Sequence, residues 1–337
     1  MLRIVSIPLS GLYGLGIMIR HALYDNHLLP SLSVSVPTIC VGNLAVGGTG
    51  KTPMVEYLLR LLLQNGLRPA VLSRGYKRRT RGFVLADETA TVETIGDEAM
   101  QTHSKFPNVP VAVCEHRVHG VHQLQKRLKE LDVVVLDDAF QHRAIRCGLN
   151  ILLTPYDNLY IDDHLLPWGR LRDLPSRSYK ADTIVVTKCP DEMRPIDMRV
   201  VSNRLHLPSF QQLHFTGLSY DETDYGERPL VLCGIARPEY MLAHVQQRAP
   251  RAKLLAFADH HRYTPADIEA IIREAEYADC VLTTEKDLQR LNMTDLSQRL
   301  QAQNKPLRAL PVVTRFIVDQ PLFDKHILTY VRENRRQ

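Results

Sequence analysis

Short apolar runs closed by glycine, proline or polar turns recur along the chain. They alternate with longer stretches in which apolar positions return every three or four residues. Runs at 39–41, 69–73, 109–113, 132–138, 150–154 and 183–188 read as buried strands. Met54, Val55, Tyr57, Leu58, Leu59, Leu61 and Leu62 mark a helix directly after the first run, and 117–131 is amphipathic at helical spacing. Strands that alternate with helices predict a mostly parallel, doubly wound sheet with helices on both faces. From residue 211 the pattern changes: 212–216 alternates as a strand, and 221–228 is polar and turn-rich. A second, smaller α/β unit follows, with strands at 229–234, 253–257 and 280–284 and helices after Arg237-Pro238 and from Pro265 to residue 277. Extended segments at 308–313 and 316–318 precede a helical tail at 322–332. The expected division is an N-terminal helical region at 1–28, a main domain at 29–210, a linker strand at 211–228, a smaller domain at 229–310, and a returning strand and helix at 311–337.

Residues 1–24 depart from this pattern. Between Arg3 and Arg20 there is no charge, and isoleucine, leucine, valine and methionine dominate. A spanning helix needs ~20 apolar residues; this run is shorter and is interrupted by Pro8, Gly11, Gly14 and Gly16. No small-residue cleavage site follows, which argues against a signal peptide. Two readings stay open: a helix lying in a membrane interface with Arg3, Arg20 and His21 at headgroup level, or a helix packed on the protein's own core.

The composition is globular, with 45% hydrophobic and 23% charged residues among 337. A net charge of +5 suits an anionic substrate or an anionic membrane surface. No aromatic-plus-basic groove accompanies it, so nucleic acid is not an expected partner, and no obligatory protein partner is indicated. The six cysteines are scattered without a close pair, the usage of a reducing compartment.

The candidate chemistry lies at the ends of the apolar runs. After 39–41 comes a glycine-rich turn, Gly47, Gly48, Thr49, Gly50, closed by Lys51 and Thr52 at the start of the helix. Strand, glycine-rich loop, Lys-Thr and helix form a phosphate-binding P-loop. Its backbone N–H groups face a polyanion, Lys51 reaches the β- and γ-phosphates, and the Thr52 hydroxyl is placed for Mg2+. The usual first glycine of the pattern is Ala45. The run at 132–138 ends in Asp137 and Asp138, the strand-tip acids of a Walker B motif, and either can meet the metal. ATP and Mg2+ are therefore the expected cofactors. Gln141 and His142 follow the acids. A basic loop from Arg74 to Arg81, with Arg117, Arg170 and Arg172, offers cations at strand ends, where ligands collect. On the residues alone Asp97 is a helix N-cap and His260 a surface histidine.

The stretch from Val41 to Pro53 resembles the tetraacyldisaccharide 4'-kinase family of lipid A biosynthesis. The likeness continues through Ser73-Arg-Gly-Tyr76, Gly96-Asp-Glu98, Leu136-Asp-Asp-Ala-Phe-Gln-His142, Pro167-Trp-Gly-Arg-Leu-Arg172, Gly234-Ile-Ala-Arg-Pro238, Asp259-His-His261 and Thr284-Glu-Lys-Asp287. It covers nearly the whole chain. The resemblance implies two α/β/α domains joined by a two-stranded linker. It implies ATP-dependent phosphorylation of the 4'-hydroxyl of a tetraacylated disaccharide 1-phosphate to give lipid IVA, at the cytoplasmic face of the inner membrane. It points to Asp97 as the base for the hydroxyl proton, helped by His260 or its neighbour His261. Lys51 and Asp138 join them as catalytic groups. Glu98 faces the substrate or supports the site, and Arg74, Arg117, His142, Arg170 and Arg172 are candidates for substrate or ATP phosphates. Ala139, Ala99 and Asp173 replace the family's usual glycine, proline and glutamate. Two other readings compete: a P-loop ATPase or GTPase switch, which leaves the apolar N-terminus unexplained, and a soluble sugar kinase, which does not need it.

Overall fold

The structure is a computed structural model that describes residues 2–220, 224–235, 238–259 and 261–335, with side chains from residue 6 onward. The expected general-base partner His260, Arg3 at headgroup level, the start of the turn-rich boundary at 221–223, and Ala236 and Arg237 of the 234–238 motif lie outside what is described.

In chain order, helix α1 (Leu2–Asp25) leads to a two-residue strand β1 (Leu32–Ser33) and to β2 (Thr38–Asn43), all six of whose residues are buried. Then come α2 (Lys51–Gln64), β3 (Pro69–Ser73), β4 (Val84–Leu85), α3 (Val92–Ile95), α4 (Asp97–Lys105), β5 (Val111–Val113), α5 (Arg117–Arg127), β6 (Val133–Asp137), β7 (Ile145–Arg146), β8 (Leu149–Pro155), β9 (Thr183–Thr187) and α6 (Pro195–Leu205). The nine-residue β10 (Gln212–Tyr220) leads to β11 (Leu230–Cys233), α7 (Pro238–Arg248), β12 (Lys253–Ala256), α8 (Pro265–Ala275), β13 (Val281–Thr283), α9 (Glu285–Leu291), α10 (Leu296–Ala302) and β14 (Leu307–Ala309). The chain closes with β15 (Val312–Phe316) and α11 (Gln320–Asn334).

The larger sheet has nine strands in the order β15-β10-β9-β8-β2-β6-β3-β5-β4. It is parallel except for β15, which runs against β10, and β4, which runs against β5. The smaller sheet, β12-β11-β13-β14, is parallel throughout. This is the doubly wound α/β architecture with a smaller α/β unit attached. The connection is the β10–β15 pair, so the two linker strands extend the large sheet as well as leaving it.

The period-two pattern explains the layering. Ile39 and Val41 of β2 enter one core with Leu58, Leu62, Val135 and Ile151, whereas Cys40 between them enters the opposite core with Leu72, Leu136 and Val121. Each such fully buried aliphatic side chain contributes about 1.5–3 kcal/mol. Two expected elements end elsewhere than the pattern suggested. α5 stops at Arg127 because the chain must turn so that Asp132 accepts the Arg68 N–H at 2.8 Å beside β6. The strand expected at 212–216 runs on to Tyr220 because β15 supplies partners from Thr216 to Tyr220.

β2 lies between β6 and β8. After β2 the chain builds outward through β3, and it later returns to the other side as β8. The carboxyl end of β2 is therefore the switch point at which open α/β sheets hold ligands.

Candidate active site

At that switch point the loop from β2 to α2 carries Gly47 at φ 101° and Gly50 at φ 87°, left-handed conformations that a side chain would strain. Gly50 is the N-terminal cap of α2, and no side chain caps the helix. The first N–H groups of α2 are thus left for an incoming anion. Thr49 is buried: its hydroxyl accepts from Asn43 Nδ2 (2.8 Å), and its carbonyl accepts from the Thr187 hydroxyl (2.8 Å). Lys51 Nζ lies 3.5 Å from Asn43 Oδ1 and 3.8 Å from Asp138 Oδ1.

The two acids that close β6 differ in environment. Asp137 is buried, and its Oδ1 has no hydrogen-bond partner. Burial, then the charges of Glu98 and Asp138, push its carboxyl up to about 7. Asp138 is half-buried with its backbone at φ 51°, a conformation that Asp tolerates better than most residues. Burial alone would raise it, but the hydrogen bond from Arg172 and the charges of Lys51, Arg172 and Arg117 hold it down to about 2. Arg172 Nη1 donates to Asp138 Oδ2 at 2.9 Å, and its Nη2 contacts Asp138 Oδ1 and donates to Asn43 Oδ1 at 2.6 Å.

A second group of cations adjoins the acids. Arg117 is buried at the start of α5; its Nη1 donates to the Cys114 carbonyl (2.9 Å) and its Nε has no partner. His142 is held down to about 4 by burial, then by the charges of Arg117, Arg20, His116 and Arg74. It is therefore neutral near pH 7, in surroundings suited to an anion. Arg20 of α1 donates to the Gln141 carbonyl at 3.0 Å, which brings the N-terminal helix to the same loop.

Asp97 opens α4 and meets α9 of the smaller unit: Arg290 Nε donates to Asp97 Oδ2 at 3.1 Å, and Arg290 Nη2 contacts the same oxygen. Arg290 is anchored by the fully buried Asp287 at 3.0 Å, and Asp287 also accepts from the Gly234 N–H at 2.9 Å. Lys286 is half-buried; burial lowers it, while Glu98, Asp259 and Asp97 oppose that shift.

The family model described as "Tetraacyldisaccharide-1-P 4'-kinase" matches residues 2–332. The chain belongs to this family. The "Tetraacyldisaccharide 4'-kinase" of Flavobacterium johnsoniae is 42% identical over 346 residues, covering 99% of this chain and 98% of that protein. The one from Bacteroides fragilis strain YCH46 is 42% identical over 357 residues, covering 98% and 93%. The crystal structure of LpxK from Aquifex aeolicus in complex with ATP is similar with a TM-score of 0.75 and 28% identity, over 98% of this chain and 99% of that one. The chain is accordingly a kinase, an enzyme of lipid A biosynthesis.

Read as a kinase site, the geometry brings together Gly47, Gly48, Thr49, Gly50, Lys51 and Thr52 with Asp137, Asp138 and Arg172. Glu98 is near enough to be felt at Asp137. Arg74 is exposed at the end of β3, and its charge reaches His142. Arg170 turns elsewhere: its side chain pairs with Asp163 at 3.3 Å, while its carbonyl accepts from the Val46 N–H at 2.8 Å. His261 is taken by Asp267 (2.9 Å) and stacks on Phe257; His260 lies outside the described residues.

Three groups escaped the sequence reading. Asn43 braces Thr49, Lys51 and Arg172, and its only sequence signal is its position at the tip of a buried strand. Lys188 has the same signal at the end of β9, where its Nζ comes within 3.9 Å of a Cβ built on Gly48. Arg290 lies one helical turn past the Asp287 motif and carried no signal.

The donor set fits Mg2+. Asp137 Oδ1 is an orphaned buried acceptor at the tip of β6, next to Asp138. Among the described residues no cage of three or more His, Cys, Asp or Glu side chains forms, and Mg2+ needs only one or two carboxylates and keeps its waters.

Proposed function

We propose that the chain transfers the γ-phosphate of ATP to the 4'-hydroxyl of a tetraacyldisaccharide 1-phosphate, giving lipid IVA, at the cytoplasmic face of the inner membrane. The observation that carries this reading is one juxtaposition. A P-loop with its strand-tip acids lies beside a helix whose outward face is apolar: Ile7, Leu12, Leu15, Met18 and Ile19 are each exposed to half or more. Trp168, stacked on His164 and 43% exposed, adds an amphipathic ring on the segment that carries this helix. No described helix is long and apolar enough to cross a membrane. The supported mode is therefore interfacial: α1 lies among the headgroups with its apolar face down, and the acceptor sugar stays in water.

Phosphoryl transfer is mostly positioning and charge neutralisation. The N–H groups of 47–52 and Lys51 hold the β- and γ-phosphates. Thr52, Asp137 and Asp138 would hold Mg2+, which supplies charge neutralisation on the phosphates when bound. Arg172 holds Asp138 ionised and in place. Arg20 of α1, with Arg74 and neutral His142 opposite it, lines the side where the anionic 1-phosphate belongs. Asp97 accepts the hydroxyl proton, with His260 as the helper the resemblance implies. In this arrangement Asp97 is ion-paired to Arg290, so some release of Arg290 accompanies proton uptake. The two sheets belong to domains that close over ATP.

ADP release measured with and without the disaccharide lipid tests the reading. Turnover is expected to need the lipid acceptor. Equal ADP release in its absence would instead support an ATPase switch.

A further inference from the structure

α1 has two faces with different tasks. Ser10, Gly14 and His21 are buried, with Ile17 and Tyr24 half-buried between and after them. These positions, three or four apart, form one stripe of the helix. The exposed apolar residues lie outside that stripe.

The stripe seats on the segment 163–173. The Ser10 hydroxyl donates to the Leu165 carbonyl at 2.8 Å, and the Tyr13 hydroxyl donates to the Arg172 carbonyl at 3.1 Å. A Cβ on Gly14 would come within 2.9 Å of Leu165 Cδ1, so a larger residue here would have to push the end of that side chain aside. At the end of the stripe His21 Nε2 lies 2.6 Å from Asp173 Oδ1, both residues buried. Arg143 fixes the ring from behind, with Nη1 at 3.2 Å from His21 Nδ1 and 3.0 Å from the His21 carbonyl.

The opposite edge of the same segment lies along the entry to the P-loop. The Arg172 N–H donates to the Leu44 carbonyl and the Val46 N–H to the Arg170 carbonyl, each at 2.8 Å, and Ala45 and Leu171 form an antiparallel bridge. Adjacent side chains on an extended segment point to opposite sides. Arg172 reaches Asp138 and Asn43, while Asp173 reaches His21.

We propose that the packed face of α1 is part of the nucleotide site: His21 and Asp173 are positioning residues that set Arg172 against Asp138 and Asn43, so that seating of the helix controls affinity for Mg·ATP. The helix then reports its docking to the P-loop through the shared segment. This rests on the reading of the P-loop as an ATP site.

The test uses the full chain in detergent, without lipid, and reads the Kd for Mg·ATP. His21→Ala and Asp173→Asn are expected to weaken binding about 10- to 100-fold, the range for loss of an outer partner of a ligand group. His21→Gln, which keeps a donor toward Asp173, and Asp173→Glu, which keeps the carboxylate, retain wild-type affinity. The exposed-face variant Leu12→Ser/Leu15→Ser retains ATP affinity but loses co-flotation with anionic vesicles. On an Arg172→Ala background His21→Ala adds nothing further, because its effect passes through Arg172. Wild-type ATP affinity in His21→Ala, equal weakening by both faces of the helix, or additivity with Arg172→Ala would overturn the proposal. Should His21→Ala not fold, weakened binding in His21→Gln and Asp173→Glu, or their failure to differ from Asp173→Asn, would overturn it in the same way. A wild-type chain that bound no ATP would refute the underlying nucleotide reading.

Discussion

At the scale of single residues, the account assigns unlike tasks to like groups. Asp137 and Asp138 are neighbours, yet burial pushes one up to about 7 while Arg172 and Lys51 hold the other down to about 2. Asp97 differs again, because Arg290 reaches it from α9 of the smaller unit. If it is the base, Asp97→Ala lowers kcat by about 10^2- to 10^4-fold, the usual worth of general-base catalysis, and leaves ATP binding within a few-fold. Single-turnover rates and ATP titrations read the two effects separately; a kcat near wild type would remove the assignment. Lys51→Ala is expected to lose both ATP affinity and turnover, and an active variant would remove the P-loop argument. Lys51, Thr52, Asp137 and Asp138 were legible in the sequence because their chemistry is fixed by position after a buried strand. Asn43 and Arg290 were not. Asn43 acts by bracing Thr49, Lys51 and Arg172, the last brought back over it by the fold, and Arg290 meets Asp97 across 193 residues of chain. Arg117, a candidate for a phosphate on the sequence, is buried at the start of α5.

At the scale of elements, the expected strands and helices followed the apolar periods, whereas α6, α9 and α10 had no counterpart in the sequence reading, and misplaced ends lay where tertiary partners decide. β10 grew because β15 pairs with it. The packing there has a measurable consequence. His214 on β10 is buried against the rings of Phe316 and Phe323, at centroid distances of 6.0 and 5.2 Å. Burial holds it down to about 4 from its usual 6.5. The unfolded chain takes a proton on this histidine first as pH falls, so the native state is fully favoured above 6.5 and loses stability between 6.5 and 4. His214→Phe is expected to flatten the pH dependence of the urea-unfolding free energy by up to one proton in that window. An unchanged slope would show that His214 does not carry it. α1 is the element whose pattern was ambiguous. Its apolar residues fitted either an interface or a core, because periodicity alone does not say what lies opposite. The structure turns most of them outward and packs a small, polar stripe inward.

At the scale of the molecule, α4 meets α9 through polar groups. Lys105 bridges Glu285 (2.6 Å) and the buried Glu56 (2.7 Å), Ser104 donates to Gln289 (3.3 Å), and Arg290 pairs with Asp97. An interface of this kind separates more readily than an apolar one. Together with the β10–β15 connection, it suits two bodies that open and close around a nucleotide. Spin labels on the exposed Lys126 of α5 and Glu274 of α8 are expected to change their distance distribution when a non-hydrolysable Mg·ATP analogue is added. Glu285→Lys should broaden the distribution without nucleotide. A distribution indifferent to both would mean one rigid body and would place the control of Asp97 elsewhere.

The central claim is a transfer from the phosphate held at Lys51 to a hydroxyl of a lipid held beside α1. The most direct test incubates the enzyme with γ-labelled ATP, Mg2+ and tetraacyldisaccharide 1-phosphate in mixed micelles, then locates the label by mass spectrometry and phosphorus NMR. The account predicts one new phosphate monoester, on the 4'-hydroxyl, formed in step with ADP and absent with Lys51→Ala. Label released as inorganic phosphate, or a lipid that stays singly phosphorylated while ATP is consumed, would contradict it.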